Sequence, residues 1–114
     1  MIVKNKNILV LGMGVSGLSA ADLLRNKGAR VTIGEKNKDE EMRDEQRKLA
    51  KKGIEVILGP HSEKLLQNKE LIIISPGIPF EIPLLQEARQ KNIPIIGELE
   101  LAFHFLPHTS LIGI

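Results

Sequence analysis

The sequence predicts an α/β fold built on a parallel sheet, and three observations carry that expectation. Short runs rich in Ile, Leu and Val stand at Ile8–Leu11, Val31–Ile33, Ile54–Leu58 and Leu71–Ile74. Near-continuous apolar runs of this length suit strands covered on both faces. Glycine or proline closes each run, at Gly12, Gly34, Gly59-Pro60 and Ser75-Pro76-Gly77. Segments with helical spacing or charge patterning fill the gaps, and strand–helix alternation gives parallel pairing through right-handed crossovers.

Taken in order, Ile8–Leu11 reads as the first strand. Ser16–Lys27 reads as a helix with Leu18, Ala20, Ala21 and Leu24 on its inner face, stopped by Gly28. Arg25 and Lys27 fall in its last turn, where cations suit the helix dipole. Arg30–Gly34 is the second strand. Lys38–Lys52 reads as a charged surface helix whose few apolar contacts are Met42, Leu49 and Ala50. Ile54–Leu58 is the third strand, and Ser62–Leu66 a short helix with Ser62 as its cap. Leu71–Ile74 is the fourth strand, Pro83–Lys91 a helix, Pro94–Ile96 a fifth strand, and Glu98–Phe105 a last helix. Leu111–Ile114 reads as one more apolar strand, in which the chain stops. The expected organisation is one domain over residues 1–108, with 109–114 opening another.

Composition narrows the function. The chain has 114 residues, 42% hydrophobic and 26% charged, which is ordinary for a globular domain. Its net charge is +2, with the basic residues interleaved among acids between Glu35 and Lys52. Three Phe and no Tyr or Trp leave little for a base-stacking platform, so nucleic-acid binding is disfavoured. No apolar run approaches the ~18 residues of a membrane span, and the short basic start is no secretory signal. Cysteine is absent, which removes disulfides and thiolate chemistry. By elimination these features favour the cytoplasm.

Four motifs carry the chemistry. Gly12-Met13-Gly14-Val15-Ser16-Gly17 follows a strand and opens a helix. In that setting the first glycine permits the tight turn, the second lets a diphosphate approach the backbone, and the third allows close helix packing. A helix start attracts phosphate through its free N–H groups and dipole, and Ser16 adds a hydroxyl. Glu35 ends the second strand eighteen residues beyond Gly17, where an acid takes ribose hydroxyls in dinucleotide-binding folds. Ser75-Pro76-Gly77-Ile78-Pro79 leaves the fourth strand as a rigid loop that offers backbone groups and the Ser75 hydroxyl. Gly97-Glu98-Leu99-Glu100-Leu101 opens the last helix. Its two acids point to different faces and read as helix-start charge rather than a catalytic pair. His61, His104 and His108 read as surface or turn residues, because Pro107 breaks the spacing of the last two. No nucleophile–base arrangement is visible, so no catalytic residue is assigned.

In this order the motifs resemble the N-terminal domain of the Mur ligases, and the MurD family (UDP-N-acetylmuramoyl-L-alanine:D-glutamate ligases) most of all. The resemblance runs over essentially the whole chain. It rests on G-M-G-V-S-G-L-S-A, on S-P-G-I-P, and on G-E-L-E-L about twenty residues later. Where family members often have Asp, this chain has Glu35. The resemblance implies a Rossmann-like domain that holds the UDP end of UDP-N-acetylmuramoyl-L-alanine and is inactive alone. It places Gly14, Val15, Ser16 and Gly17 at the diphosphate, Glu35 and Lys36 beside the uracil, and Ser75, Pro76 and Gly77 along the uridine. It also implies that residues 111–114 lead into an ATP-binding loop. ATP and Mg2+ would then serve the full-length enzyme, with ATP and D-glutamate held by other domains and no cofactor or metal held by this one. The alternatives are an NAD-binding regulatory module and the nucleotide domain of a dehydrogenase.

Overall fold

The structure, a computed structural model, describes residues 2–79 and 81–105, with Val15 and Ser16 described through their backbone alone. Five parallel strands form one sheet: β1 (Asn7–Leu11), β2 (Arg30–Glu35), β3 (Glu55–Leu58), β4 (Leu71–Ile74) and β5 (Ile95–Gly97). The helices are α1 (Val15–Asn26), α2 (Glu40–Lys51), α3 (Pro83–Gln90) and α4 (Glu98–Phe105), with a 3-10 turn at Glu63–Leu66. The sheet order is β3-β2-β1-β4-β5. The expected parallel α/β architecture is therefore present, with each element within two residues of its sequence-based bounds. The apolar run 111–114 lies outside the described residues.

Alternation within each strand sorts the core into two layers. Ile8, Val10, Val31, Ile33, Val56 and Ile73 pack with Ala20, Ala21 and Leu24 of α1, Leu49 of α2 and Leu101 of α4. Leu9, Leu11, Ile72 and Ile74 face the other way, onto Leu65 and Leu66 of the 3-10 turn and Leu84, Leu85 and Ala88 of α3. β1 is the central strand, and Ile8, Leu9, Val10 and Leu11 have no exposed surface. Burying one such side chain contributes roughly 1.5–3 kcal/mol.

Two local readings are corrected, at Ala50 and Ser62. Ala50 is exposed rather than a core contact of α2, whose inner face is Leu49 with Met42 packed partly beside it. Asp39 caps that helix by accepting the Met42 N–H at 2.9 Å. Ser62 stands before the 3-10 turn, yet its hydroxyl makes no capping bond. A single tight turn leaves that bond no regular α-helical geometry to meet.

Candidate functional site

β1 and β4 are neighbours whose onward connections diverge. β1 leads through α1 to β2 on one side, and β4 leads through α3 to β5 on the other. A crevice opens outside the carboxyl ends of two such strands, which is where open α/β sheets bind ligands. The loops after β1 and β4 are the glycine motif and the Ser-Pro-Gly motif, so the topology brings the two sequence signals to one place.

Within the glycine loop the three glycines do different work. Gly12 has φ +100, and a Cβ there would stand 2.8 Å from Ser75 Oγ. A Cβ at Gly17 would lie 2.1 Å from the Gly12 carbonyl oxygen, so α1 can start this close to β1 only through glycine. Gly14 has ordinary backbone angles (φ −76, ψ −177), is exposed, and would meet nothing within 4 Å with a Cβ. It occupies the N-cap position of α1 with no side-chain cap, and no acidic residue stands in the helix's first turn. Helix geometry leaves the N–H groups of Val15, Ser16 and Gly17 without intrahelical acceptors, at the positive end of the dipole.

Ser75 joins the loops. Its Oγ donates to Glu98 Oε1 at 2.7 Å and lies 3.1 Å from the Leu11 carbonyl oxygen. A hydroxyl has one proton, so Ser75 meets a ligand chiefly as an acceptor. The turn behind it closes when Ile78 N–H donates to the Ser75 carbonyl at 3.0 Å. Pro76 and Gly77 are exposed at its tip. Glu98, read from sequence as helix-start charge, is instead half-buried, with Oε1 3.7 Å from a Cβ built on Gly17. Its Oε2 is buried and finds no donor among the described residues. An unmet buried acceptor costs about 1–3 kcal/mol. No spacing rule signals this pair, because Ser75 is 23 residues from Glu98 and only the Ile74–Gly97 register aligns them. Glu100 is exposed and stays outside the site.

Glu35 closes the β2 side. Its Oε1 accepts the Met13 N–H and its Oε2 the Asn37 N–H, each at 2.9 Å, so the carboxylate fixes both the glycine loop and its own turn. Lys36 beside it is exposed. His61 sits in the turn after β3, as expected, but is half-buried, and its Nδ1 is enclosed without a partner among the described residues. Burial lowers its pKa from 6.5, with the Glu35 charge raising it and Lys36 lowering it further. His104 is exposed, and His108 lies outside the described residues. Among the described residues no group of His, Asp or Glu could hold a metal ion, and no helix is long and apolar enough to cross a membrane.

Cavity size and site location do not coincide. A cleft of about 700 Å³ lies at the opposite end of the sheet and is lined by Asn7, Arg25, Arg30, Thr32, Glu55 and Asn68 among others. Beside the crevice is an apolar groove of about 390 Å³ between α1 and α4, bordered by Ser19, Leu23, Pro76, Leu99 and Ala102. We place the site by topology and loop chemistry, because an open groove needs no enclosed volume to hold an extended ligand.

Strand order, the glycine turn at the start of α1 and the loop after β4 define a Rossmann-like α/β domain. Solved structures agree on the fold. The UDP-N-acetylmuramate-alanine ligase MurC of Thermotoga maritima superposes with a TM-score of 0.67 at 26% identity, over 83% of this chain and 21% of that one. Shikimate dehydrogenase from Aquifex aeolicus has a TM-score of 0.58 at 22% identity, over 85% of this chain and 44% of that one.

Residues 6–97 match the family described as Mur ligase MurD-like, N-terminal domain, and the chain belongs to that family. It is 44% identical over 107 residues to the UDP-N-acetylmuramoylalanine–D-glutamate ligase of Koribacter versatilis, and 42% identical over 111 residues to that of Macrococcus caseolyticus. These alignments cover 94% and 97% of this chain, and in each case 24% of the relative. The chain thus spans about a quarter of the length of the curated relatives it matches.

Proposed function

We propose that this chain is the UDP-holding domain of a cytoplasmic, ATP-dependent ligase that adds D-glutamate to UDP-N-acetylmuramoyl-L-alanine. The observation that carries the reading is Gly14, an exposed N-cap with open space above it, at the start of a helix with neither cap nor acid. A diphosphate fits there. Its charge suits the dipole, the N–H groups of Val15, Ser16 and Gly17 donate to it, and a bare glycine lets it approach the backbone. Lys36 and Glu35 then flank the uracil at the end of β2, and Ser75, Pro76 and Gly77 wall the uridine from the β4 side.

In this reading residues 1–108 form the substrate-holding domain and 109–114 begin the ATP-binding one. ATP and Mg2+ serve the complete ligase by activating the substrate carboxylate as an acyl phosphate, which the amine of D-glutamate attacks. In this reading that chemistry is carried by the other domains of the ligase. This domain binds and orients.

The test is NMR shift mapping of the chain with UDP-N-acetylmuramoyl-L-alanine, UDP and NAD in parallel. Saturable shifts at Gly14–Gly17 and Ser75–Gly77 with the uridine ligands, and none with NAD, are expected. Saturable binding of NAD with the uridine ligands silent would overturn the reading in favour of a nicotinamide-binding module.

A further inference from the structure

We infer that Glu98 is a positioning residue that acts through Ser75 to hold the two ligand-facing loops in register. Three strand ends meet at this pair. Ser75 leaves β4, the Leu11 carbonyl ends β1, and Glu98 follows β5 at the start of α4. Ser75 Oγ also fills the space beside Gly12, where a Cβ would come within 2.8 Å of it. The hydroxyl is therefore a spacer between the loops as well as a donor. Without its acceptor on Glu98 the hydroxyl keeps only the longer contact to the Leu11 carbonyl, at 3.1 Å, and the Ser-Pro-Gly loop loses its tie to the start of α4.

The charge on Glu98 makes the arrangement informative. A carboxylate next to Gly17 stands close to where the proposed diphosphate would bind, and like charges at short range oppose binding. One carboxylate oxygen is moreover buried without a donor among the described residues. A group kept in place against both costs is a candidate for function rather than for stability. The hydrogen bond, and not the charge, is the useful part. The neutral isostere in Glu98→Gln keeps an acceptor for Ser75 and removes the repulsion.

Two measurements on the chain separate this inference from the UDP reading, on which only its ligand-binding half rests. In the free chain, Glu98→Ala is expected to speed amide exchange at Ile78, whose N–H closes the Ser75 turn, by ~tenfold, with Val10 and Ile33 in the sheet unchanged. Glu98→Gln is expected to exchange like the parent. With UDP-N-acetylmuramoyl-L-alanine as the probe, Glu98→Ala is expected to raise Kd ~tenfold, the loss of about one well-formed hydrogen bond. Glu98→Gln should bind as tightly as the parent or tighter. In a Ser75→Ala background Glu98→Ala should cost nothing more, because the two residues act as one unit. Exchange that rises equally at Ile78, Val10 and Ile33, or losses that add in the double variant, would assign Glu98 a merely structural role and overturn the inference. Should the parent chain fail to bind the uridine ligand, the UDP reading falls, and the exchange comparison alone decides the positioning role.

Discussion

The two ends of the sheet are built differently. At the amino end lies the larger cleft, about 700 Å³, bordered by the C-terminal turns of α1 and α2 and by exposed Arg30, Gln67 and Asn68. Among its cations Arg25 stands in the last turn of α1, where the helix dipole favours Lys and Arg. At the carboxyl end the hollows are smaller, at about 390 and 520 Å³, and the loops are held by bonds between residues far apart in the chain. Glu35 holds Met13, Ser75 holds Glu98, and Gly12 N–H donates to the Gly34 carbonyl at 2.8 Å. Bonds of that kind also tie the amino end, where Asn7 N–H donates to Glu70 Oε2 and Asn5 N–H to the Gly28 carbonyl; what marks the end where a ligand is expected is the uncapped, acid-free start of α1 at Gly14.

The contrast can be broken by substitution. Gly17→Ala should have the largest effect, because its methyl group meets the Gly12 carbonyl and the backbone must move; about 3 kcal/mol of stability is expected to go, read by urea unfolding. Gly14→Ala separates folding from binding. Its methyl group enters open space, so stability should hold within about 0.5 kcal/mol, while calorimetric affinity for UDP should fall at least ~tenfold, about 1.4 kcal/mol. A Gly14→Ala chain that bound UDP as tightly as the parent would remove the diphosphate from this loop. Ser75→Ala removes one bonded hydroxyl and is expected to cost about 1 kcal/mol of stability, measured in the same unfolding series.

His61 sharpens the comparison with pH. Its folded pKa lies below the unfolded value of 6.5, so the unfolded chain takes up the proton first. Stability is therefore complete above 6.5 and declines as pH falls from there toward the lower folded value, where the decline ends. His61→Gln should flatten that stretch of the curve of melting temperature against pH. An unchanged slope would show that other groups set it. The smallest effect belongs to the amino end. Arg30→Ala should alter neither stability beyond about 0.5 kcal/mol nor affinity for UDP, and a clear loss of affinity would move the site to the larger cleft.

Much of this architecture was legible in the sequence because it is written in local chemistry. Unbroken apolar runs reported two covered faces, and glycine and proline reported where each strand stops. The glycine motif told where a ligand could approach because its strand–turn–helix context is itself local. What stayed hidden depends on register. Glu98 belongs with Ser75 only because β5 lies beside β4, and Glu35 reaches Met13 only because β2 lies beside β1. From sequence, Glu35 was a ligand for ribose and Glu98 a helix-start charge. In the fold both carboxylates fasten loops. Ala50 was misread for a related reason: on a helix with so few apolar residues, periodicity does not fix which of two adjacent positions faces inward.

The central place of β1 has a consequence for how the chain is made. Ile8 pairs with Val31 on one side but with Leu71 on the other, 63 residues downstream. At roughly 5–20 residues per second, a ribosome delivers β4 about 3–13 seconds after β1. Until then a strand whose last four side chains are fully buried in the finished fold has at most one neighbour and keeps an open edge, a ready surface for wrong pairing. Nascent chains stalled before β4 leaves the exit tunnel should be open to protease, and those stalled after it protected. Early protection would instead show that β1, β2 and α1 fold as a unit of their own.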